Sequence, residues 1–134
     1  MVAKSKIEYG DFQTPLNLAA AVVTFLRDSG ISPSIVVEPT CGIGNFALAA
    51  EKGFHAVRQV FAFDINPDYV AAVRKMLGNT DGVRCRVTQQ DFFTFNWKEF
   101  FAAFQGEILI LGNPPWVTNA VLGALSSDNV PPKT

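Results

Sequence analysis

The chain has 134 residues, the length of one domain with a single core; 49% hydrophobic and 17% charged residues exclude a disordered polymer, and a net charge of -1 gives no general pull on a polyanion. No apolar stretch nears the roughly 20 residues that cross a bilayer, and the opening MVAKSKIEYGD lacks a signal core, so a cytoplasmic protein without a membrane partner is expected. The two cysteines, Cys41 and Cys85, have no companions at metal-ligand spacing, so neither a disulfide framework nor a metal site is expected.

In chain order, Thr14 caps and Pro15 opens a helix over LNLAAAVVTFLRDSG, which Gly30 stops. Residues 34–38 are a β-branched run suited to a buried strand, residues 39–45 a glycine-bearing turn, and FALAAEKG a helix. Residues 57–65 read as a second strand, and Asn66-Pro67 opens a helix through Leu77 that Gly78-Asn79 ends. A third strand over 83–88, a short aromatic helix around 97–104 and a fourth strand over 108–111 follow. Strands alternating with helices give an α/β fold, a parallel sheet wound with right-handed crossovers. After Trp116 the chain turns to Ser, Asn, Asp and Pro. The tail from about 118 to 134 is therefore expected to be irregular, and residues 1–134 to be the N-terminal part of one larger catalytic domain, cut after its fourth strand.

Open α/β sheets bind ligands outside the carboxyl ends of their strands, and the polar candidates fall there. EPTCGIGNF has Gly42 and Gly44 where the backbone turns tightly before a helix N-terminus. Asp64 ends the second strand about 20 residues beyond Gly44, the spacing at which a carboxylate meets ribose hydroxyls. Asp91 and Phe92 follow the third strand and offer an adenine an acceptor for its amine and an aromatic face. The glycines alone suit a dinucleotide site of the dehydrogenase kind equally, or a mere tight connection, and Asp64 equally reads as a helix cap. The set on successive strand ends is what argues for a nucleoside site.

The fourth strand runs into Asn113-Pro114-Pro115-Trp116. Prolines fix φ and lack a donor, so this turn holds a stiff backbone in which the Asn113 side-chain oxygen and the Pro114 carbonyl can face one cleft. Two acceptors, one for each N–H, favour a pyramidal nitrogen whose lone pair points at an electrophile, without a general base. Trp116 offers a planar ring a face worth on the order of 1 to 3 kcal/mol of stacking. Cys41, in the glycine loop, reads as packing or backbone contact rather than a nucleophile, and His55 as structural or exposed.

These stretches together, "YGDFQTP", "EPTCGIGNF", "FAFDINP", "QQDFF" and "LGNPPW", resemble the N-terminal half of an S-adenosylmethionine-dependent amino-methyltransferase, above all the adenine-specific DNA methyltransferases of restriction-modification systems. The resemblance runs from Tyr9 to about Trp116. It implies a Rossmann-like, doubly wound, mostly parallel sheet of the class I methyltransferase type, truncated after the fourth strand. It implies further that Phe12, Gln13, Thr14 and Pro15 border the methionine end of S-adenosylmethionine with Glu38, Thr40, Gly42 and Gly44. Asp64 would bind the ribose, Ile65 and Phe92 would sandwich the adenine, and Asp91 would take its amine. Asn113 and Pro114 would orient the target nitrogen and Trp116 would stack on a base swung out of double-stranded DNA. Family members more often carry tyrosine or phenylalanine at the position of Trp116. The implied partners are DNA, through parts mostly beyond this chain, and a nuclease, separate or fused; the bare edge of the fourth strand favours self-association of the fragment. The alternatives are methylation of a protein glutamine or an RNA base, since the turn suits any planar amide or amine, a non-catalytic fragment, and, more distantly, the dehydrogenase.

Overall fold

The structure, a computed structural model, describes residues 13–78 and 82–114. Thr14–Asn113 forms one compact unit, and Gln13 and Pro114 belong to a second. Phe12, Asn79, Pro115, Trp116 and the tail from 118 lie outside the described residues.

Helices and strands alternate as α1 (Leu16–Asp28), β1 (Ile35–Glu38), α2 (Asn45–Gly53), β2 (Gln59–Asp64), α3 (Pro67–Met76), β3 (Arg84–Gln89), α4 (Trp97–Ala102) and β4 (Ile108–Ile110). β1, β2 and β4 are shorter than the sequence suggests and β3 is shifted by one residue, because pairing ends where the parallel partner does: β2 and β3 run in step from Gln59 opposite Arg84 to Asp64 opposite Gln89. All pairs are parallel and the order is β3-β2-β1-β4. β1 lies inside the sheet, with Val36 between Val60 and Leu109. It is buried along its whole length, as a strand covered on both faces must be.

Alternation along the strands builds two cores. On one face Val36, Val60 and Ala62 meet Ala19 and Val23 of α1, Ala47 and Ala50 of α2, and Val70 and Val73 of α3. On the other, Ile35, Val37, Phe61 and Phe63 meet Phe95, Trp97, Phe100, Phe101 and Phe104. Helices on both faces of a parallel sheet make this the Rossmann-like, doubly wound arrangement that the sequence implies.

Small residues let the first face close tightly. A Cβ at Gly53 would run into Cγ1 of the buried Val23, so glycine there brings α1 onto α2, and Arg27 Nη1 donates to the Gly53 carbonyl across the same contact (3.2 Å). Gly30 ends α1 with φ +93°, its N–H reaching the Arg27 carbonyl and that of Ile31 the Leu26 carbonyl. The start of α1 departs from the expectation. Pro15, not Thr14, takes the cap position, and no side chain caps it. The Thr14 hydroxyl is engaged instead by Asn113, 99 residues away. In contrast, α3 begins as its sequence predicts: Asn66 Oδ1 accepts from the Asp68 N–H and Pro67 occupies the first turn. No described helix is long and apolar enough to cross a membrane.

Candidate functional site

The carboxyl ends of β1, β2 and β4, with the loop after β3, carry the candidate residues, and polar bonds fasten each loop. Glu38, the last residue of β1, is only 3% exposed. Its Oε2 accepts from the Ala47 N–H in the first turn of α2 (2.8 Å). Burial, with the nearby Asp64 charge adding, pushes its carboxyl up to about 8, against the opposing pull of the Ala47 N–H. Glu38 therefore grips the start of α2 from beneath the loop.

Between them the chain turns through Cys41, Gly42 and Gly44. The Cys41 N–H bonds to the Phe63 carbonyl (2.7 Å) and the Gly44 N–H to the Cys41 carbonyl (2.8 Å). Gly42 (φ +53°) and Gly44 (φ +82°) both occupy the left-handed region. The sequence assigns both glycines to close approach of a ligand, yet at Gly44 the close neighbour is α3. A Cβ there would meet Val73 Cγ1 at 2.9 Å and Met76 Cε at 3.0 Å. The Cys41 thiol is 4% exposed and burial, first, with the charges of Glu38 and Asp64, holds it far above the usual thiol range, so it is no nucleophile. His55 is exposed.

Asp64 ends β2 and binds two loops at once: Oδ2 accepts from the Gly42 N–H (2.8 Å) and Oδ1 from the Asn66 N–H (2.9 Å). A carboxylate offers about four acceptor positions, so these two bonds leave about two for hydroxyl donors. The alternative that Asp64 caps a helix does not hold, since Asn66 is the cap of α3. Ile65, next along, is 50% exposed. After β3, Asp91 Oδ1 accepts from the Phe93 N–H (2.9 Å), and the Asp91 carbonyl accepts from Thr94 and Phe95. Trp97 Nε1 donates to the Phe92 carbonyl (2.8 Å), and the Phe92 ring packs between those of Phe93 and Trp97.

At the end of β4, the Leu111 N–H continues the ladder to the Val37 carbonyl (3.0 Å), and Gly112 passes Glu38, whose Cγ would lie 3.5 Å from a Cβ there. Asn113 is then tied at two points. Its Nδ2 donates to Thr14 Oγ1 (3.3 Å), and its carbonyl accepts from Thr40 Oγ1 (3.3 Å). Asn45, which sequence reading passed over, donates from Nδ2 to the Thr14 carbonyl (2.8 Å). Its signal was an amide immediately after the glycine turn, at the start of a helix.

The structure thus brings Thr14, Glu38, Thr40, Gly42, Asp64 and Asn113 into one bonded rim with Asn45. Asp91 and Phe92 sit on the loop after the neighbouring β3. Two exposed apolar side chains also escaped the sequence reading, Ile43 at 42% and Phe93 at 80%. Apolar groups in water beside carboxylates are what a nucleoside would cover and bond, so the residues present fit the donor that the sequence implies. Among the described residues no cluster of three or more His, Cys, Asp or Glu side chains could hold a metal ion. A groove of about 700 Å³ lies elsewhere, along the first residues of β2 and β3, lined by Gln59, Phe61, Arg84, Arg86, Phe100 and Phe104.

No family model matches the chain. It is 41% identical over 132 residues to the Type II methyltransferase M.NspV of Nostoc sp., which covers 98% of this chain and 28% of that protein. It is 30% identical over 115 residues to the Type II methyltransferase M.CvrRI of Paramecium bursaria Chlorella virus XZ-6E, over 86% of this chain and 26% of that protein. The chain thus spans little more than a quarter of the length of the curated relatives it matches. Among solved structures, Thermoplasma acidophilum 1320 aligns with a TM-score of 0.44 and 26% identity over 66% of this chain and 47% of that one.

Proposed function

The chain belongs to the family of the Type II methyltransferases, and on that premise we propose that it is the donor-binding and amine-holding part of a catalytic domain that moves a methyl group from S-adenosylmethionine to the exocyclic amine of adenine in DNA. The observation that carries this reading is the anchoring of Asn113, with its side chain on Thr14 and its carbonyl on Thr40, beside the Glu38–Gly44 loop.

When bound, S-adenosylmethionine supplies a methyl carbon made electrophilic by its sulfonium. Asp64 would hold the ribose hydroxyls with the acceptor positions left by its two backbone bonds. Ile65 and Phe92 would flank the adenine, with Phe93 and Ile43 widening the apolar wall, and Asp91 would accept from its amine. Glu38 acts through the loop: by holding the Ala47 N–H it fixes where Thr40 and Gly42 present their groups. On the substrate side, Asn113 accepts from the target amine, and the second acceptor the motif calls for, the Pro114 carbonyl, follows in the chain. An amine held by two acceptors turns its lone pair toward the methyl carbon. The bound donor would supply the methyl group for a carbon–nitrogen bond, its sulfur would keep the electron pair of the broken carbon–sulfur bond, and the surplus amine proton would leave to water. The base must first leave the duplex, since its amine is out of reach while stacked and paired.

The test gives a full-length protein carrying this chain labelled S-adenosylmethionine together with DNA, RNA and a translation release factor in parallel. Label in adenine of DNA is the expected result; label confined to RNA or to the protein glutamine overturns it. Calorimetry of the 134-residue chain with S-adenosylmethionine measures the donor site separately.

A further inference from the structure

We infer that Asn45 is a positioning residue for the amino-acid arm of the methyl donor: its side chain clips the chain that enters α1 to the head of α2, and so sets the wall along which that arm lies. This rests on the donor site proposed above and adds to it a residue that acts through Thr14.

Two bonds of the same kind join α1 to α2, one at each end of the pair. Away from the rim, Arg27 Nη1 donates to the Gly53 carbonyl (3.2 Å), beside the close approach of Gly53 to Val23. At the rim, Asn45 Nδ2 donates to the Thr14 carbonyl (2.8 Å). A carbonyl oxygen only accepts, so the amide of Asn45 meets it through the NH2 end and no other. The Thr14 carbonyl stands ahead of the helical ladder, which starts with the Ala19 N–H on the Pro15 carbonyl, and the Asn45 side chain is what holds it. Asn45 is itself well fixed. It is the first residue of α2, between the left-handed Gly44, set against Val73, and Ala47, whose N–H is gripped by Glu38.

The order of the strands gives this clip its bearing on the donor. On the reading above, adenine lies by Asp91 and Phe92 after β3 and the ribose at Asp64 on β2, while the amine that takes the methyl group is held by Asn113 after β4. In the order β3-β2-β1-β4, the sulfonium and its amino-acid arm then fall over the end of β1, where the Glu38–Gly44 loop runs into Asn45 and where Thr14 meets Asn113. Loss of the Arg27 bond loosens α1 far from that place; loss of the Asn45 bond moves the wall of the cleft itself. The two bonds are alike in chemistry and differ in address, which separates positioning from mere stabilisation.

The test is calorimetry on a full-length protein carrying this chain, with two ligands that share the adenosine. S-adenosylhomocysteine keeps the amino-acid arm with its ammonium and carboxylate, and methylthioadenosine has a methyl group in its place. Asn45→Ala and Asn45→Leu, the second close to asparagine in shape, are each expected to weaken S-adenosylhomocysteine about fivefold, the worth of one hydrogen bond, and to leave methylthioadenosine within about twofold. Arg27→Ala is expected to lower the melting temperature and to leave both affinities unchanged. Equal weakening of the two ligands by the Asn45 variants, an unchanged affinity for S-adenosylhomocysteine, or the same selective loss in Arg27→Ala overturns the inference. Failure of both Asn45 variants to fold overturns it too, since the bond would then be a requirement of the fold. Absence of S-adenosylhomocysteine binding by the unaltered protein would instead overturn the donor site proposed above.

Discussion

The rim at the carboxyl ends of the strands and the aromatic face beneath α4 are held together by different forces. On the rim, individual side chains bond to individual backbone groups: Glu38 to the Ala47 N–H, Asp64 to those of Gly42 and Asn66, Asn45 to the Thr14 carbonyl. On the aromatic face, rings meet edge to face at centroid distances of 5.2 to 5.5 Å, Phe61 on Phe100 and Phe63 on Phe100 and Trp97, and stabilise through buried area and quadrupole contact. The difference teaches where each kind of damage goes. Loss of the rim bond between Asn113 and Thr14 displaces a group by a small distance at little cost to folding; loss of a ring weakens the whole molecule and leaves the surviving folded copies unchanged at the rim.

The largest effect that would sharpen this contrast is expected at Asn113. Asn113→Ala should lower methyl transfer by the full-length protein about 10²- to 10³-fold, roughly 3 to 4 kcal/mol in the barrier, while changing unfolding free energy by about 1 kcal/mol or less. Steady-state kinetics and denaturant titration on the same preparation read both. At Phe61, 8% exposed, Phe61→Ala is expected to destabilise by about 3 kcal/mol with donor affinity of the folded fraction unaltered. A weakened donor affinity at Phe61 would break the comparison.

Gly44 joins the two behaviours. Gly44→Ala sets a side chain in the left-handed region and against Val73, at a combined cost of about 2 kcal/mol, and should weaken donor binding as well, because α2 starts there. Next comes Glu38. Its folded-state carboxyl lies at about 8 and its ordinary value at 4.5. A raised value means that the folded chain binds the proton more tightly, so this contribution is complete below about 4.5 and is lost as pH rises toward 8. The slope reaches at most about 1.4 kcal/mol per pH unit, and Glu38→Gln, which keeps an acceptor for Ala47, should flatten it in thermal melts across that window. The smallest effect belongs to Phe93: since its ring is 80% exposed, Phe93→Ser should change stability by less than about 0.5 kcal/mol and lower S-adenosylmethionine affinity measurably by calorimetry.

Much of the fold was legible because the signals for it are local. Asn66-Pro67 announced α3, Gly30 the end of α1, and the β-branched run before Glu38 the inner strand. Boundaries were less legible, since the length of a strand is set by its partner: β3 runs on to Gln89 because β2 continues to Asp64. The site divides similarly. Asp64, Asp91 and Asn113 stand at strand ends and could be read from spacing. The bonds among Thr14, Asn45 and Asn113 could not, because they join residues 31 and 99 positions apart and exist only once the sheet order places β4 against β1. For the same reason Thr14 was read as a helix cap: the local preference is genuine, and a distant amide outcompetes it.

Asp64 has a bearing on how this lineage drifts. One aspartate staples the turn after β1 to the turn before α3, so its removal unfastens both, whatever else it touches. Paralogues that have lost every trace of enzymatic purpose are therefore expected to keep an acid at this position as long as they keep their shape, and its persistence in such a gene would mark architecture rather than chemistry.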